Sequence, residues 1–472
     1  MAEEAEKILN RLEKIYNENH DKELSPNTIT YCTVIDAWAK RREPEKAEKI
    51  LRRMMAISHE DSNERDDLRA DTVAFNTVLY AWAKSRRRGS AKRAEDLLSH
   101  MQTLYHAGND NVKPDVYSYT SVISAWASAS PKDNTKDVAS KILAIISQME
   151  ELYKLGDEDV CPNAVTYTSA INALARSGDE GSATKAHELL NTMEARYRDG
   201  NEDMKPDVIC YSSVIDAYAK SNRKDSADKA VELLNHMIFL HEKGYQDVKP
   251  NTRTYCSVIT ALGRSRSYGA ADTAEQILTD MEMMYALGND DVAPNTIVFN
   301  ACLDAWAKSS FVYKAEKAQR ILHHMEKEYE AGNIMYKPDT ITYNSVISAA
   351  ANSFGDKKIK KMAFSIALSA FRKLHLSKCD NTRPTSVTYT HFIKALRKLT
   401  RAGEARDGML KRSFELGSKN GLINRHVLLQ LKLACSPEEY QEIISQCGQN
   451  ILDEECNMKE ITYDQRESTY RP

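Results

Sequence analysis

Proline and glycine are scarce in this chain, at 12 and 17 of 472 residues. A sequence that avoids the two strongest helix breakers has a helical composition. Nine cysteines are scattered without one C-x-x-C pair. That excludes the usual zinc-ribbon spacing and a disulfide framework, and it leaves reduced thiols of an intracellular chain. No apolar run reaches spanning length, so neither a transmembrane helix nor a membrane partner is expected. Net charge is −3, from 65 basic and 68 acidic residues. Nucleic-acid binding therefore cannot be argued from total charge, only from where the charges lie. A targeting signal is missing too. Met1 is followed by AEEAEKIL, which is acidic, whereas transit peptides are arginine-rich and secretory signals need an apolar core. No HExxH, phosphate loop or nucleophile elbow appears, and no H-x-E…P-C-x-x-C deaminase pattern. His323-His324 reads as a surface pair, not a metal site. No enzyme, cofactor, metal or small-molecule substrate is expected.

What the chain does have is one phrase, repeated. Pro294 opens PNTIVFNACLDAWA, Pro26 opens PNTITYCTVIDAWA and Pro206 opens PDVICYSSVIDAYA. It returns after Ala70, Pro114, Pro162, Pro250, Pro338 and Pro384, at steps of 44, 44, 48, 44, 44, 44, 44 and 46 residues. A fixed period in this range means an elongated array, one supersecondary unit per repeat. Counting each unit from the residue after the opening pair places nine repeats at 28–71, 72–115, 116–163, 164–207, 208–251, 252–295, 296–339, 340–385 and 386–424.

Within a repeat, apolar residues fall at places four, seven, eight and eleven, as in Tyr31, Val34, Ile35 and Trp38. These share one face of a first helix. Place four is aromatic and place ten is alanine in all nine repeats; the small residue admits a neighbouring helix. All four tryptophans (Trp38, Trp82, Trp126, Trp306) take place eleven and read as core. Asp115, Asn163, Asp207, Asn251, Asn295 and Asp339 precede the periodic run and read as N-caps. A second helix follows, as in Ala94, Leu97, Leu98, Met101 and Tyr105, then Gly108 as its left-handed terminator and a polar turn. Each unit is thus a helical hairpin that needs its neighbours to cover its apolar face. Period alone would also admit a HEAT-like array.

The phrase P-[DN]-x-x-x-Y-x-x-[VI]-[IL]-x-A-x-[AG]-[KR], followed by A-x-x-[IL]-L-x-x-M, resembles the pentatricopeptide repeat over residues 26 to 424. The resemblance implies an all-α, right-handed α-solenoid superhelix of stacked antiparallel helix hairpins. It also implies binding of single-stranded RNA at one base per repeat. These repeats are longer than the family's standard unit. The extra length falls in the hairpin turn and in the second helix with its exit loop, and the third repeat, with SASPKDNTKD after Ala127, is longer still.

Places two, five, nine and thirteen lie opposite the core stripe, and by the resemblance they line the groove. Place thirteen is basic in seven repeats (Lys40, Lys84, Arg176, Lys220, Arg264, Lys308, Lys398), with Ser128 and Asn352 the exceptions. Arg253 and Lys394 add to this face, and Asp36, Asp216 and Asp304 subtract, leaving +6 on it. Such a track suits a phosphate backbone; solvated helix ends are the plainer reading. Place two is apolar in eight repeats: Ile29, Val73, Tyr117, Val165, Ile209, Ile297, Ile341 and Val387. The family uses it to sandwich bases, and simple packing between helices is the other reading. Place five stays small but changes identity: Cys32, Asn76, Thr120, Thr168, Ser212, Cys256, Asn300, Asn344 and Thr390. An amide or hydroxyl there can read a base edge; for Cys32 and Cys256 a small buried thiol is the competing reading. The family's second reader is the last residue of a repeat, here Asp71, Asp115, Asn163, Asp207, Asn251, Asn295, Asp339 and Thr385, all of which also make competent caps. Carrying the family's pairings over repeat by repeat gives N-U-A-G-A-N-U-Y-A, 5′ to 3′ along the chain.

Residues 1–27 match a second helix without its first (Ala5, Ile8, Leu9, Leu12, Tyr16), the half-repeat of a truncated array. Residues 425–452 read as capping helices and 453–472 as a polar, disordered tail. The sequence thus points to a monomeric, sequence-selective RNA binder that acts with RNA-processing proteins. By family resemblance it belongs in mitochondria or plastids. A helical-repeat scaffold for a protein partner is the alternative, favoured by the near-neutral balance of charge and the enlarged repeats. The half-repeat makes a prediction about the gene. A longer upstream reading frame should be found, and a translation start mapped to Met1 would refute it.

Overall fold

The computed structural model describes residues 1–19, 24–60, 68–129, 138–179, 181–221, 223, 225–377 and 382–445, without the side chains of 59 and 60. The longest part of the third repeat's insertion, residues 130–137, and the tail from 446 lie outside these. Every regular element among the described residues is helical, and the fold is an all-α helical-repeat solenoid. It divides into two units, Met1–Ser221 with Asn235–Lys249, and Asn222–Leu234 with Pro250–Pro472.

In the first unit α1 (Ala2–Asn19) precedes five first helices: α2 (Thr28–Lys40), α4 (Thr72–Ser85), α6 (Val116–Ala127), α8 (Ala164–Ser177) and α10 (Val208–Lys220). Their second helices are α3 (Pro44–Glu60), α5 (Ser90–His106), α7 (Val138–Lys154), α9 (Ser182–Arg198) and α11 (Ser226–Glu242), the last crossing the division. The second unit holds α12 (Thr252–Ser265), α13 (Ala270–Ala286), α14 (Thr296–Lys308), α15 (Lys314–Glu330), α16 (Thr340–Ala351), α17 (Lys357–Leu376), α18 (Ser386–Leu399) and α19 (Glu404–Lys419). It ends with two short helices, α20 (Arg425–Lys432) and α21 (Pro437–Ser445).

Every first helix begins at place one because the residue before it is an N-cap. Asp71 accepts from Ala74 N at 2.8 Å, Asp115 from Ser118 N at 2.9 Å and Asn163 from Thr166 N at 3.1 Å. Each such cap is worth about 1 kcal/mol. The core stripe lies where the spacing puts it. The place-four aromatics and all four tryptophans are buried. Four of the seven place-four hydroxyls reach back to a carboxylate on the preceding second helix: Tyr211 donates to Glu194 at 2.5 Å, Tyr343 to Glu326 at 3.1 Å, and Tyr31 and Tyr167 to Glu13 and Glu150. Burial first, and then that carboxylate, pushes the Tyr167 and Tyr211 phenols upward, so both stay neutral donors. The second-helix stripe is buried through Met101, Met193 and Met325, but its expected last member is not. Tyr105 and Tyr197 are half-buried and Tyr329 is exposed, because the stripe has rotated off the core by the final turn.

Gly108, Gly200 and Gly332 end their helices at φ 96°, 96° and 101°, a conformation only glycine takes without strain. The segment that follows is more than a polar turn. One 3₁₀ turn forms in each of six exit loops, at 110–112, 158–160, 202–204, 246–248, 290–292 and 334–336. Its last residue (Val112, Val160, Met204, Val248, Val292, Tyr336) is a buried plug. In three of these repeats place one is a threonine that clips the loop: Thr72 Oγ1 donates to Lys113 O at 2.7 Å, Thr252 Oγ1 to Ala293 O at 3.0 Å and Thr296 Oγ1 to Lys337 O at 2.9 Å. Lys113 then reaches Asp157 and Asp159 of the next loop, both at 2.7 Å. The added length is therefore built into the array.

Within each unit successive first helices pack side by side, and in the second unit places ten and twelve meet closely. A Cβ added at Gly263, place twelve of α12, would lie 3.1 Å from both Cα and Cβ of Ala305, place ten of α14. Gly263→Val should lower stability by about 1–3 kcal/mol through overpacking, read as an earlier thermal transition. An unchanged transition would mean that the helices can move apart at no cost.

Candidate nucleic-acid interface

The face opposite the core stripe has its own hydrogen-bond logic. At place five, asparagine reaches the cap that ends its own repeat. Asn76 Nδ2 donates to Asp115 Oδ1 and Oδ2 at 3.0 and 3.2 Å, and Asn300 Nδ2 to Asp339 Oδ1 at 3.1 Å. Asn344 Nδ2 lies 3.5 Å from Thr385 Oγ1. These are the pairs that chain order joins, and the structure brings each into contact.

Place three of the following repeat completes the arrangement, and the sequence reading overlooked it. Ser118, Thr342 and Thr388 each donate a hydroxyl at 2.7 Å to the amide oxygen of Asn76, Asn300 and Asn344. All three hydroxyl residues are buried. The amide is thus fixed in orientation: its oxygen is committed inward, and its nitrogen meets the cap. The signal was present as a column of small residues at place three (Thr30, Ala74, Ser118, Thr166, Cys210, Thr254, Val298, Thr342, Thr388), mostly hydroxyl-bearing on an otherwise apolar face.

Threonine at place five behaves differently. Thr168 Oγ1 donates back to Ala164 O at 2.6 Å, and Thr390 Oγ1 to Ser386 O at 2.8 Å. Its proton is spent within its own helix, so its lone pairs face outward. Thr120 meets Thr166, again at place three, at 2.8 Å, and Thr166 bonds to Asn163. Thr168 lies 3.0 Å from Cys210 Sγ. In these repeats the two predicted readers share a place-three neighbour and make no direct bond among those recorded. Ser212 is buried. Cys32 and Cys256 are half-buried. Burial, and then the charge of Asp71, pushes the Cys32 thiol up to about 11, so it is a neutral, weak donor.

Place two decides between packing and exposure. Its eight apolar side chains are 48–74% exposed: Ile29, Val73, Tyr117, Val165 and Ile209 in the first unit, Ile297, Ile341 and Val387 in the second. They do not pack between helices. Arg253, at the same place, is also exposed.

Place thirteen is less free than a count of charges suggests. Lys40, Lys220 and Lys308 each pair at 2.6 Å with the aspartate one turn earlier, Asp36, Asp216 and Asp304. Arg176 and Lys220 also reach the end of the preceding first helix, at Ala127 O (3.4 Å) and Ala175 O (3.2 Å). Cations favour the negative end of a helix, so part of this recurrence is capping of the neighbour. Lys84 lies 5.4 Å from the centre of the Tyr80 ring. Lys84, Arg264 and Lys398 are exposed, with no aspartate one turn before them.

His324 of the pair flagged in the sequence bonds to Glu282 at 2.6 Å and packs edge-on against Tyr336. Among the described residues no group of three His, Cys, Asp or Glu could hold a metal, and no helix is long and apolar enough to cross a membrane.

The family model for the PPR repeat matches residues 29–58, 165–196 and 209–239. Each match begins at place two, in the first, fourth and fifth repeats. No curated protein matches the chain.

The place-three hydroxyl generates a test. Thr342→Val removes the donor to a buried amide oxygen and should destabilise the protein by about 1–3 kcal/mol in denaturant unfolding. A double-mutant cycle with Asn300→Ala should return a coupling of about 0.5–3 kcal/mol. Additive single effects would show that the two side chains do not act as a unit.

Proposed function

Because this chain is a pentatricopeptide repeat protein, we propose that it binds single-stranded RNA sequence-selectively and acts without catalysis in organellar RNA processing, stability or translation. The observation that carries this is the exposed apolar column at place two. Eight Ile, Val and Tyr side chains left in water forgo about 25 cal/mol per Å² of burial. A base held between neighbouring members of the column would recover it. Flat π-faces suit such slots whatever the sequence, so this part of the site gives affinity without selectivity.

Selectivity falls to place five and the cap. In the Asn76–Asp115 pair the amide keeps one N–H and the carboxylate keeps Oδ2 lone pairs. An N–H beside an acceptor complements the carbonyl and ring N–H of uracil. Thr168 with Asp207 offers acceptors, which suit the ring N–H and amino group of guanine. An asparagine cap, as in Thr120 with Asn163, adds a donor that can meet N1 of adenine. The phosphates would run along the place-thirteen cations, with Lys84, Arg176, Arg264 and Lys398 as the members not preceded by a pairing aspartate. Mitochondria or plastids are the compartments proposed, since most members of the family act there. RNA-processing proteins are the partners proposed.

Selection from a randomised RNA pool at two salt concentrations tests the reading. Strands containing U-A-G-A should be enriched. Affinity should fall with a log–log salt slope of about −3 if four phosphates are neutralised. Asn76→Thr should move the preference at the second base from U to G. Binding without enrichment would discard the base reading, and absence of binding at low salt would favour the protein scaffold.

A further inference from the structure

The N-terminal turn of α17 lacks the acidic residue that five other second helices place there, as α5, α7 and α9 also lack it. The positive end of a helix dipole favours acidic residues. Glu45, Asp228, Asp272, Glu316 and Glu404 take that position in α3, α11, α13, α15 and α19. In α17 the first five residues are KKIKK, with no acid in the first turn. The capping Asp356 is committed to Ile359 N at 2.8 Å.

Those lysines line a groove of about 440 Å³ with the end of α18. Lys357, Lys360 and Lys361 form one wall, Lys398 and Arg401 the other, and Phe364 and Leu399 the floor. No carboxylate lines it. None of these five cations makes a side-chain hydrogen bond or ion pair among the described residues, although Lys40, Lys220 and Lys308 at the helix ends do. The neighbourhood is positive beyond the groove as well. Place nine of this repeat is Lys394 where three other repeats carry aspartate. Burial, and then the charges of Lys398 and Lys394, pushes Lys314 down to about 8.

Five cations without a partner among the described residues converge on one concavity, three of them at a helix start that disfavours them, and an anion bound there would offset their repulsion. We infer that the groove between the start of α17 and the end of α18 is a binding site for clustered phosphate groups. Two sources share this chemistry: the backbone of an RNA strand running past the base-reading face, and a free polyphosphate. The first source rests on the RNA reading above; the phosphate chemistry does not.

The test uses the full chain and the triple variant Lys357→Gln, Lys360→Gln, Lys361→Gln, with a matched variant at Lys154, Lys185 and Lys243 as control. All six lysines are surface residues, and circular dichroism checks folding. Tripolyphosphate titrated at low salt should bind the wild type and the control, and at least ten-fold more weakly the triple variant. RNA strands carrying the nine-base core, with or without five further nucleotides at either end, separate the sources. An extension that tightens binding to the wild type but not to the triple variant assigns the groove to RNA backbone. The salt slope should then flatten by about 2 in the variant. Lysine-dependent tripolyphosphate binding with no effect of extension assigns it to a free polyphosphate. The same result with no RNA binding at all leaves the groove standing and removes the RNA reading. Tripolyphosphate that fails to bind, or binds the triple variant as well as the wild type, overturns the inference.

Discussion

Close contact between successive first helices is the constraint on which the rest depends. Alanine at place ten, met by Ala or Gly at place twelve in eight of the repeats, lets the two backbones approach until a single Cβ is too much, as at Gly263 and Ala305. That approach brings place three of one repeat under place five of the repeat before. The 2.7 Å bonds from Ser118 to Asn76 and from Thr342 to Asn300 exist only because the helices stand that close. The orientation of the place-five amide thus follows from the packing of small residues a helical turn and more away. A bulkier place ten would loosen the stack and free the amide to rotate before the fold was lost.

The lengthened repeats keep this geometry because the added residues are built into the array away from the groove. Six exit loops carry a buried plug residue, and three of them are held by a place-one threonine, Thr72, Thr252 or Thr296. The hairpins are further joined through their second helices: Glu95 pairs with Lys141 at 2.9 Å, and Glu275 with Lys317 at 3.0 Å. Such part-exposed pairs add at most about 1 kcal/mol each. Their value lies in fixing register between neighbours, while burial of the stripe supplies the stability.

Much of this was legible in the sequence, because period and cap are strong signals. Place one coincides with the start of every first helix, and the aromatic, alanine and tryptophan columns are buried as their spacing requires, except for the half-buried Ala37 of the first repeat. Three features were not legible, each for a physical reason. The plug residues look like part of a polar turn, since one valine among Asp and Asn carries no periodicity. The exposure of place two cannot be told from packing by hydrophobicity alone; only the distance between helices decides it. The pairing of Lys40, Lys220 and Lys308 with aspartates four residues back was readable in principle as an i, i+4 spacing. Its consequence, that summed charge overstates the available cations, needed the 2.6 Å contacts.

A net charge of −3 is compatible with phosphate binding because basic residues gather in several hairpin turns and acidic residues in several exit loops. Hairpin turns carry Arg41 and Arg42, Arg86 to Arg88, and Arg266; exit loops carry Asp110, Asp157 to Asp159, Glu202 and Asp203, and Asp290 and Asp291. A first helix of 13 residues separates those ends by about 20 Å. The screening length at physiological salt is about 8 Å. A phosphate beside Lys84 or Lys398 therefore feels the local cations, while the acids at the far end are largely screened. The fourth repeat differs, with Asp179 in its hairpin turn, and there Arg176 is turned toward Ala127 O; the eighth has Asp356 in its turn and the seventh no charge. The total charge of the chain thus carries little information about the local field at place thirteen.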